Sequence, residues 1–172
     1  HISEGKVVAR FCGRMEFGAR ALGNRSILAN PSDYSVVEKI NEKIKNRDFW
    51  MPFTPSIKFD RKNDYLINPK DLDSPYMTIA FDSTPIARSH LVAAIHPYDK
   101  TVRPQLINRQ DNPPYYDLIN EFENITGVGA LLNTSFNLHG EPVVCSPIDA
   151  IRTFEKSGLD MLLMNDVLLR RE

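Results

Sequence analysis

The sequence predicts an α/β domain built around a mixed β-sheet, and three observations lead to this prediction. Short apolar runs typical of buried strands occur at 6–12, 128–134 and 161–164. Segments with apolar residues at helical spacing alternate with such runs, and the clearest of them covers 115–125. At 172 residues the chain fits one domain, and it is long enough to bury a hydrophobic core.

The predicted strands are short. In chain order they cover 6–12, 26–29, 76–81, 91–95, 101–107, 128–134, 161–164 and 167–169. Pro104 has no backbone N–H to donate, so the run that contains it can form only an edge strand. Residues 13–26 carry three glycines and three arginines and fit neither a helical nor a strand period. We therefore expect a long functional loop there.

Helix starts are marked by capping residues. Ser35-x-x-Glu38 is a capping-box pattern and predicts a helix over 35–45, and one helical turn is expected at 62–66. Asn112 before two prolines starts a helix with an apolar face of Tyr115, Leu118, Ile119, Phe122 and Ile125. Ser146 starts the last helix, which ends at Gly158 and has an apolar face of Ile148, Ile151 and Phe154.

Composition excludes several classes of protein. The net charge of −1 gives no general attraction to nucleic acid or to an acidic membrane surface. Cys12 and Cys145 are too few for a disulfide framework or a zinc site, and we interpret both as small core residues. No apolar stretch approaches about 20 residues and there is no signal peptide, so a cytoplasmic location is expected. The chain begins with His1, close to its first strand, and is expected to be a piece of a longer protein.

A polar cluster follows the predicted strand at 128–132. Asn133, Thr134, Ser135 and Asn137 stand just beyond its carboxyl end, where open α/β sheets usually bind ligands. Known phosphate-loop and dinucleotide fingerprints are missing, and the four histidines are scattered without metal-ligand spacing. The cluster has the donors and acceptors to hold a small polar ligand.

Several isolated basic residues lie among glycines, at a helix end or within a predicted strand. If their side chains converge in space, they suit a phosphate-bearing substrate. For any single arginine, a solvated surface position is the ordinary explanation, and cations at a helix end also complement the helix dipole. The combination favours an anion site. The residues concerned are Arg14, Arg20, Arg25, Lys45, Arg47 and Arg103.

Four segments resemble the C-terminal domain of the O-carbamoyltransferases, a family that includes nodulation-factor and antibiotic carbamoyltransferases. They are GRMEFGARALGNRSIL (13–28), IKNRDFWMPFTPSI (44–57), the stretch 111–151, and SGLDMLLM (157–164). The resemblance covers nearly the whole chain in the family's order. It implies a YrdC-like twisted open sheet flanked by helices, in a single domain over 1–172.

The same resemblance implies an activity. This domain would take ATP, with Mg²⁺ on its triphosphate, and carbamoyl phosphate to carbamoyl adenylate. A larger N-terminal domain, absent from this chain and belonging to the actin-like ATPase superfamily, would then pass the carbamoyl group to a substrate hydroxyl and hold iron. Partners are therefore carbamoyl phosphate and that N-terminal domain, without nucleic acid or membrane.

Site residues carry over position by position. The resemblance implies catalytic roles for Lys45, Arg103 and Ser135. It implies substrate or nucleotide binding by Arg20, Arg25, Arg47, Asn133, Thr134, Asn137 and Glu141. Met51 stands where the family usually has arginine, Ala19 replaces a proline, and the stretch 97–100 differs from the usual loop before the arginine.

Two other hypotheses remain open. One is a catalytically silent domain that only docks to its N-terminal partner, which the Met51 and 97–100 departures favour slightly. The other is a nucleic-acid-associated YrdC-like domain, against which the near-neutral charge argues. The sequence does not name the acceptor hydroxyl.

Overall fold

A mixed seven-stranded sheet forms the centre of the protein. The computed structural model describes residues 1–45 and 51–171. In chain order the strands are β1 (Val8–Phe11), β2 (Arg25–Ala29), β3 (Thr54–Lys58), β4 (Leu66–Ile67), β5 (Phe81–Ser83), β6 (Thr101–Val102), β7 (Gln105–Ile107), β8 (Ala130–Ser135), β9 (Met161–Met164) and β10 (Val167–Arg170). The main sheet has the order β10-β9-β1-β2-β8-β3-β7, and β4-β5-β6 form a small antiparallel sheet.

Helices cover both faces of the main sheet. They are α1 (Ser35–Ile40), α2 (Lys62–Tyr65), α3 (Pro85–His90), α4 (Pro113–Thr126) and α5 (Pro147–Lys156). A π-helical turn, Asn41–Lys45, continues α1. In the main sheet β1 pairs parallel with β9 and β3 pairs parallel with β7, whereas the other pairs are antiparallel. The predicted α/β class with a mixed sheet is confirmed.

The core has two layers, one on each side of the sheet. Successive strand residues point to opposite faces, so Val8 and Leu28 belong to the layer that α4 covers. Their neighbours Ala9 and Ile27 belong to the layer that α1 and α5 cover. Strands with helices on both faces are buried throughout, which explains the apolar runs of the sequence.

Local signals predicted several elements correctly. Asn112 accepts a hydrogen bond from the Tyr115 N–H at the start of α4. Ser146 forms a capping box with Asp149 at the start of α5. The prediction that 101–107 contains an edge strand is also confirmed, because β7 ends the main sheet and Pro104 separates it from β6.

Other local predictions are wrong. The capping box expected at Ser35 is absent, because the Ser35 hydroxyl donates to Asp33 Oδ1 at 2.7 Å and gives α1 no side-chain cap. On α5, Ile148 and Ile151 are exposed, and the buried residues are Ala150, Thr153 and Phe154. Cys145 is exposed and Cys12 is half-buried, so the interpretation of both cysteines as core residues is wrong for Cys145.

Two predicted strands, 76–81 and 91–95, are wrong. At 76–81 only Phe81 enters a strand, and 91–95 forms a turn after α3, a helix that the sequence analysis missed. Leu91, Ala93, Ala94 and Ile95 are nevertheless buried. A short apolar run indicates burial but does not distinguish a strand from a buried turn.

Candidate ligand-binding site

A small cleft of about 60 Å³ opens at the carboxyl end of β8. Its walls come from residues 19–21 of the glycine-rich loop, residues 52–54 at the start of β3, Met77, Arg103 between β6 and β7, and the end of β8. We call it the arginine cleft, and its polar lining is Thr54 together with Arg20, Arg103, Asn133, Thr134 and Ser135. All of these except Thr54 are predicted site residues, so the structure brings five of the predicted residues together.

The electrostatics of the arginine cleft favour an anion. Arg20 and Arg103 both line it, whereas no aspartate or glutamate of the described chain does so. Burial, followed by the positive charge of Arg20, lowers the pKa of the Arg103 guanidinium below its usual value. A bound anion would relieve this repulsion, and a guanidinium pairs well with phosphate oxygens.

Asn133 fixes the floor of the cleft. Its side-chain amide donates to the Ala21 carbonyl at 3.2 Å and to Ser56 Oγ at 2.9 Å. Because the Ala21 carbonyl can only accept, these bonds fix which end of the carboxamide carries the nitrogen. The Asn133 Oδ1 atom is buried and has no hydrogen-bond partner among residues 1–45 and 51–171.

Lys45 supports the cleft from behind. The side chain is only 2% exposed, and its ammonium donates to the Ser135 carbonyl at 2.6 Å and to Asn137 Oδ1 at 2.7 Å. It also contacts Ser135 Oγ at 3.1 Å and the Asn137 carbonyl at 3.0 Å. Ser135 Oγ in turn donates to Asn137 Oδ1 at 2.6 Å. Because Ser135 lines the arginine cleft, this Lys45 cluster (Lys45, Ser135 and Asn137) positions one of its walls.

Glu141 contributes to the same loop through its backbone. The Glu141 carbonyl accepts a hydrogen bond from the Asn137 side-chain amide at 2.8 Å. Glu141 itself does not line the arginine cleft. Arg47 lies outside the described residues. The predicted binding roles of these two residues stay predictions.

Arg25 lies apart from the cleft. It is 4% exposed, and its guanidinium packs over the Phe11 ring at 3.7 Å. It donates to the carbonyls of Cys12, Gly13 and Asn24 at 2.9–3.1 Å. Burial lowers the pKa of this guanidinium, with the Glu16 charge opposing the shift. These contacts close the base of the glycine-rich loop, and the predicted binding role of Arg25 stays a prediction.

Glu16 holds the glycine-rich loop in shape, and the sequence analysis did not predict this role. Its Oε1 accepts hydrogen bonds from the backbone N–H groups of Leu22 and Asn24 at 2.9 and 2.6 Å. It therefore folds the glycine-rich loop back so that Arg20 reaches the cleft. The available signal was a single carboxylate inside a segment rich in glycines and otherwise basic.

We expect Gly23→Ala to destabilise the protein by about 3 kcal/mol. Gly23 has φ +121°, and an added Cβ would lie 2.3 Å from Cδ1 of the fully buried Tyr115 ring. Gly140→Ala is the matched control, since Gly140 has φ +77° with open space around it and should cost only about 1 kcal/mol. Urea unfolding measures both, and equal costs would contradict the packing argument.

Within residues 1–45 and 51–171, no group of three or more histidine, cysteine, aspartate or glutamate residues could hold a metal ion. Among the helices in 1–45 and 51–171, none is long and apolar enough to cross a membrane.

Comparison with known proteins places these residues in context. The sequence model of the family described as "Carbamoyltransferase C-terminus" matches residues 1–171. An uncharacterized protein of Methanocaldococcus jannaschii is 45% identical over 170 residues, which are 99% of this chain and 32% of that protein. Nodulation protein NolNO of Sinorhizobium fredii is 39% identical over 99% of this chain and 25% of its own length. The 3'-hydroxymethylcephem-O-carbamoyltransferase of Amycolatopsis lactamdurans is 31% identical, over 99% and 32% respectively. The chain thus spans about a third or less of these relatives.

Proposed function

The chain belongs to the carbamoyltransferase C-terminal family, and from this premise we propose that it binds ATP and carbamoyl phosphate and forms carbamoyl adenylate. The observation that supports the proposal is that Arg20 and Arg103 line one cleft to which residues 1–45 and 51–171 contribute no carboxylate. Both substrates bear phosphate groups, which guanidinium groups bind through paired hydrogen bonds.

The proposed reaction forms one bond to the α-phosphorus of ATP. Carbamoyl phosphate gives its phosphate to water, an oxygen of the resulting carbamate bonds to the α-phosphorus, and pyrophosphate leaves. Such chemistry depends mainly on positioning and charge neutralisation. Because the attacking carbamate is already an anion, it needs no general base.

Three residues of the cleft have roles in this proposal. Arg103 neutralises the charge that develops on the phosphate oxygens, and Arg20 binds a second anionic oxygen at the mouth. Ser135, held by Lys45 and Asn137, orients the carbamate or phosphate group. Mg²⁺ would be held by the triphosphate oxygens and would supply further charge neutralisation when bound.

In this proposal, the rest of the full-length protein transfers the carbamoyl group to the acceptor. The chain corresponds to 25–32% of the length of the relatives named above. We propose that a larger N-terminal domain receives the carbamoyl adenylate, holds iron and passes the carbamoyl group to a substrate hydroxyl. We therefore propose that the full-length protein is an O-carbamoyltransferase.

Calorimetry and pyrophosphate exchange test the proposal together. The protein should bind ATP and carbamoyl phosphate separately, and it should exchange pyrophosphate into ATP only when carbamoyl phosphate is present. Binding of neither ligand would contradict the proposal. That outcome would favour the silent docking domain, the alternative that Met51 and the 97–100 stretch suggest.

A further inference from the structure

The first six residues have the backbone geometry of the end of an α-helix. Gly5 adopts the left-handed conformation, with φ 80°, and its N–H donates to the Ile2 carbonyl at 3.1 Å. The Lys6 N–H donates to the His1 carbonyl at 3.2 Å. These are the two hydrogen bonds of the Schellman motif, which closes α-helices at their carboxyl ends. The motif therefore indicates helical turns that lead into His1.

An apolar groove of about 240 Å³ lies beside these residues. His1, Ile2 and Ser3 belong to its lining, so the helix end and the groove are in direct contact. The sheet contributes five apolar side chains from four of its strands, namely Val8, Leu28, Met161, Leu163 and Leu168. We call it the N-terminal groove.

One side of the N-terminal groove has the pattern of a helix–helix contact. Its lining on α4 consists of Leu118, Glu121, Phe122 and Ile125. The spacing of these four positions is the spacing of the stripe with which a helix packs against a neighbour. The stripe covers about 10 Å along α4, or about two helical turns. Ile125, at the end of this stripe, is 71% exposed.

The sheet below the groove is less covered on this face than on the other face. Leu163 of β9 lies opposite Leu168 of β10, and both side chains are only partly buried. Leu162 belongs to the core layer on the other face and is fully buried. The two partly buried leucines therefore leave room for a further apolar layer beside α4.

The occupant of the groove follows from what is joined to His1. The family is described as the carboxyl-terminal part of carbamoyltransferases, and the chain spans a third or less of the relatives named above. A segment joined to His1 is held beside the groove by the chain itself. Its docking is an intramolecular step, so it costs little translational freedom.

We propose that the segment directly before His1 in the full-length protein is an amphipathic helix that fills the N-terminal groove. The helix packs along α4 over at least two turns and ends in the Schellman motif at Gly5. It holds the N-terminal part at a fixed place on this domain instead of on a flexible linker. The inference goes beyond the proposed function and takes from it only the larger N-terminal part.

The sequence of the full-length protein provides a first test. Ile2 is buried in the core, so the residues on the same face of the helix are those three, four and seven positions before it. These three residues should be apolar, and the positions between them should be mainly polar. Polar residues at all three positions would overturn the proposal.

Hydrogen exchange of the full-length protein, read by mass spectrometry, tests the docking itself. Backbone amides of the turns before His1 should be protected in the wild type. Ile125→Glu should lower their protection at least about 10-fold, the factor that corresponds to burying one isoleucine side chain. Ile148→Glu is the matched control, because Ile148 is a 77% exposed isoleucine on α5 and does not line the groove. Amides of α5 should exchange as in the wild type, which shows that the Ile125 variant is folded.

The outcomes identify the occupant. Turns before His1 that exchange freely in the wild type, or that stay equally protected in Ile125→Glu, would overturn the proposal. A wild-type dimer that Ile125→Glu converts to a monomer, with those turns unprotected, would assign the groove to a second copy and also overturn it. Should Ile125→Glu lose protection throughout, the milder Ile125→Ser replaces it and the same outcomes apply. Pyrophosphate exchange of the same samples tests the proposed function separately.

Discussion

Replacing Arg103 by alanine should reduce carbamoyl-adenylate formation by about 10²-fold or more without lowering the stability of the protein. In residues 1–45 and 51–171 its guanidinium has no acidic partner, and its burial and the nearby Arg20 charge both lower its pKa. Burying a positive charge beside another destabilises the empty fold. Its removal should therefore leave the free energy of unfolding unchanged or slightly higher.

Pyrophosphate exchange and urea unfolding check this prediction side by side. Arg152→Ala serves as the control, because Arg152 is an exposed arginine on α5 with a distant contact of 3.9 Å to Asp149. Arg103→Lys keeps the charge but loses the planar pair of donors, so it should fall between alanine and wild type. Wild-type exchange by Arg103→Ala would remove Arg103 from the mechanism.

Lys45→Met should lower both activity and stability, which distinguishes Lys45 from Arg103. Methionine keeps a long apolar chain but leaves the acceptors on Ser135 and Asn137 without their ammonium donor. Losing hydrogen bonds from a charged group in a buried place costs about 1.5–3 kcal/mol. The loop around Ser135 should lose its fixed position, and exchange should fall at least about 10²-fold.

The control for Lys45→Met is the same substitution at Lys156, an exposed lysine at the end of α5. Urea unfolding of the ligand-free protein gives the stability, and pyrophosphate exchange gives the activity. If Lys45→Met unfolded and exchanged like the wild type, the Lys45 cluster would have no supporting role.

Sequence patterns predicted those elements whose cause is local. Asn112 and Ser146 cap their helices through contacts with residues three positions away, and such signals depend little on the rest of the fold. The prediction of a strand at 91–95 was wrong because the burial of this segment depends on residues distant in the chain. Ala93, for example, donates to the carbonyl of Pro31, which no pattern within 91–95 indicates.

The sequence predicted the residue types of the candidate site but not the positions of these residues in space. Arg20 and Arg25 lie five residues apart in one motif, and the sequence predicts the same binding role for both. The structure separates them, since Arg20 lines the cleft and Arg25 packs on Phe11. Sequence also gave no sign that Gln105 would lie beside Asn133, because that contact depends on β3 pairing with both β7 and β8.

The position of Arg103 has a consequence for motion. Arg103 and Pro104 alone connect β6 of the small sheet to β7 of the main sheet. An anion held between Arg103 and the end of β8 would fasten one sheet to the other. Local openings of β4-β5-β6 would then require release of the ligand, so backbone amides of the small sheet would exchange their hydrogens more slowly in the occupied protein. Binding in the cleft would therefore slow hydrogen exchange in strands that do not contact the ligand.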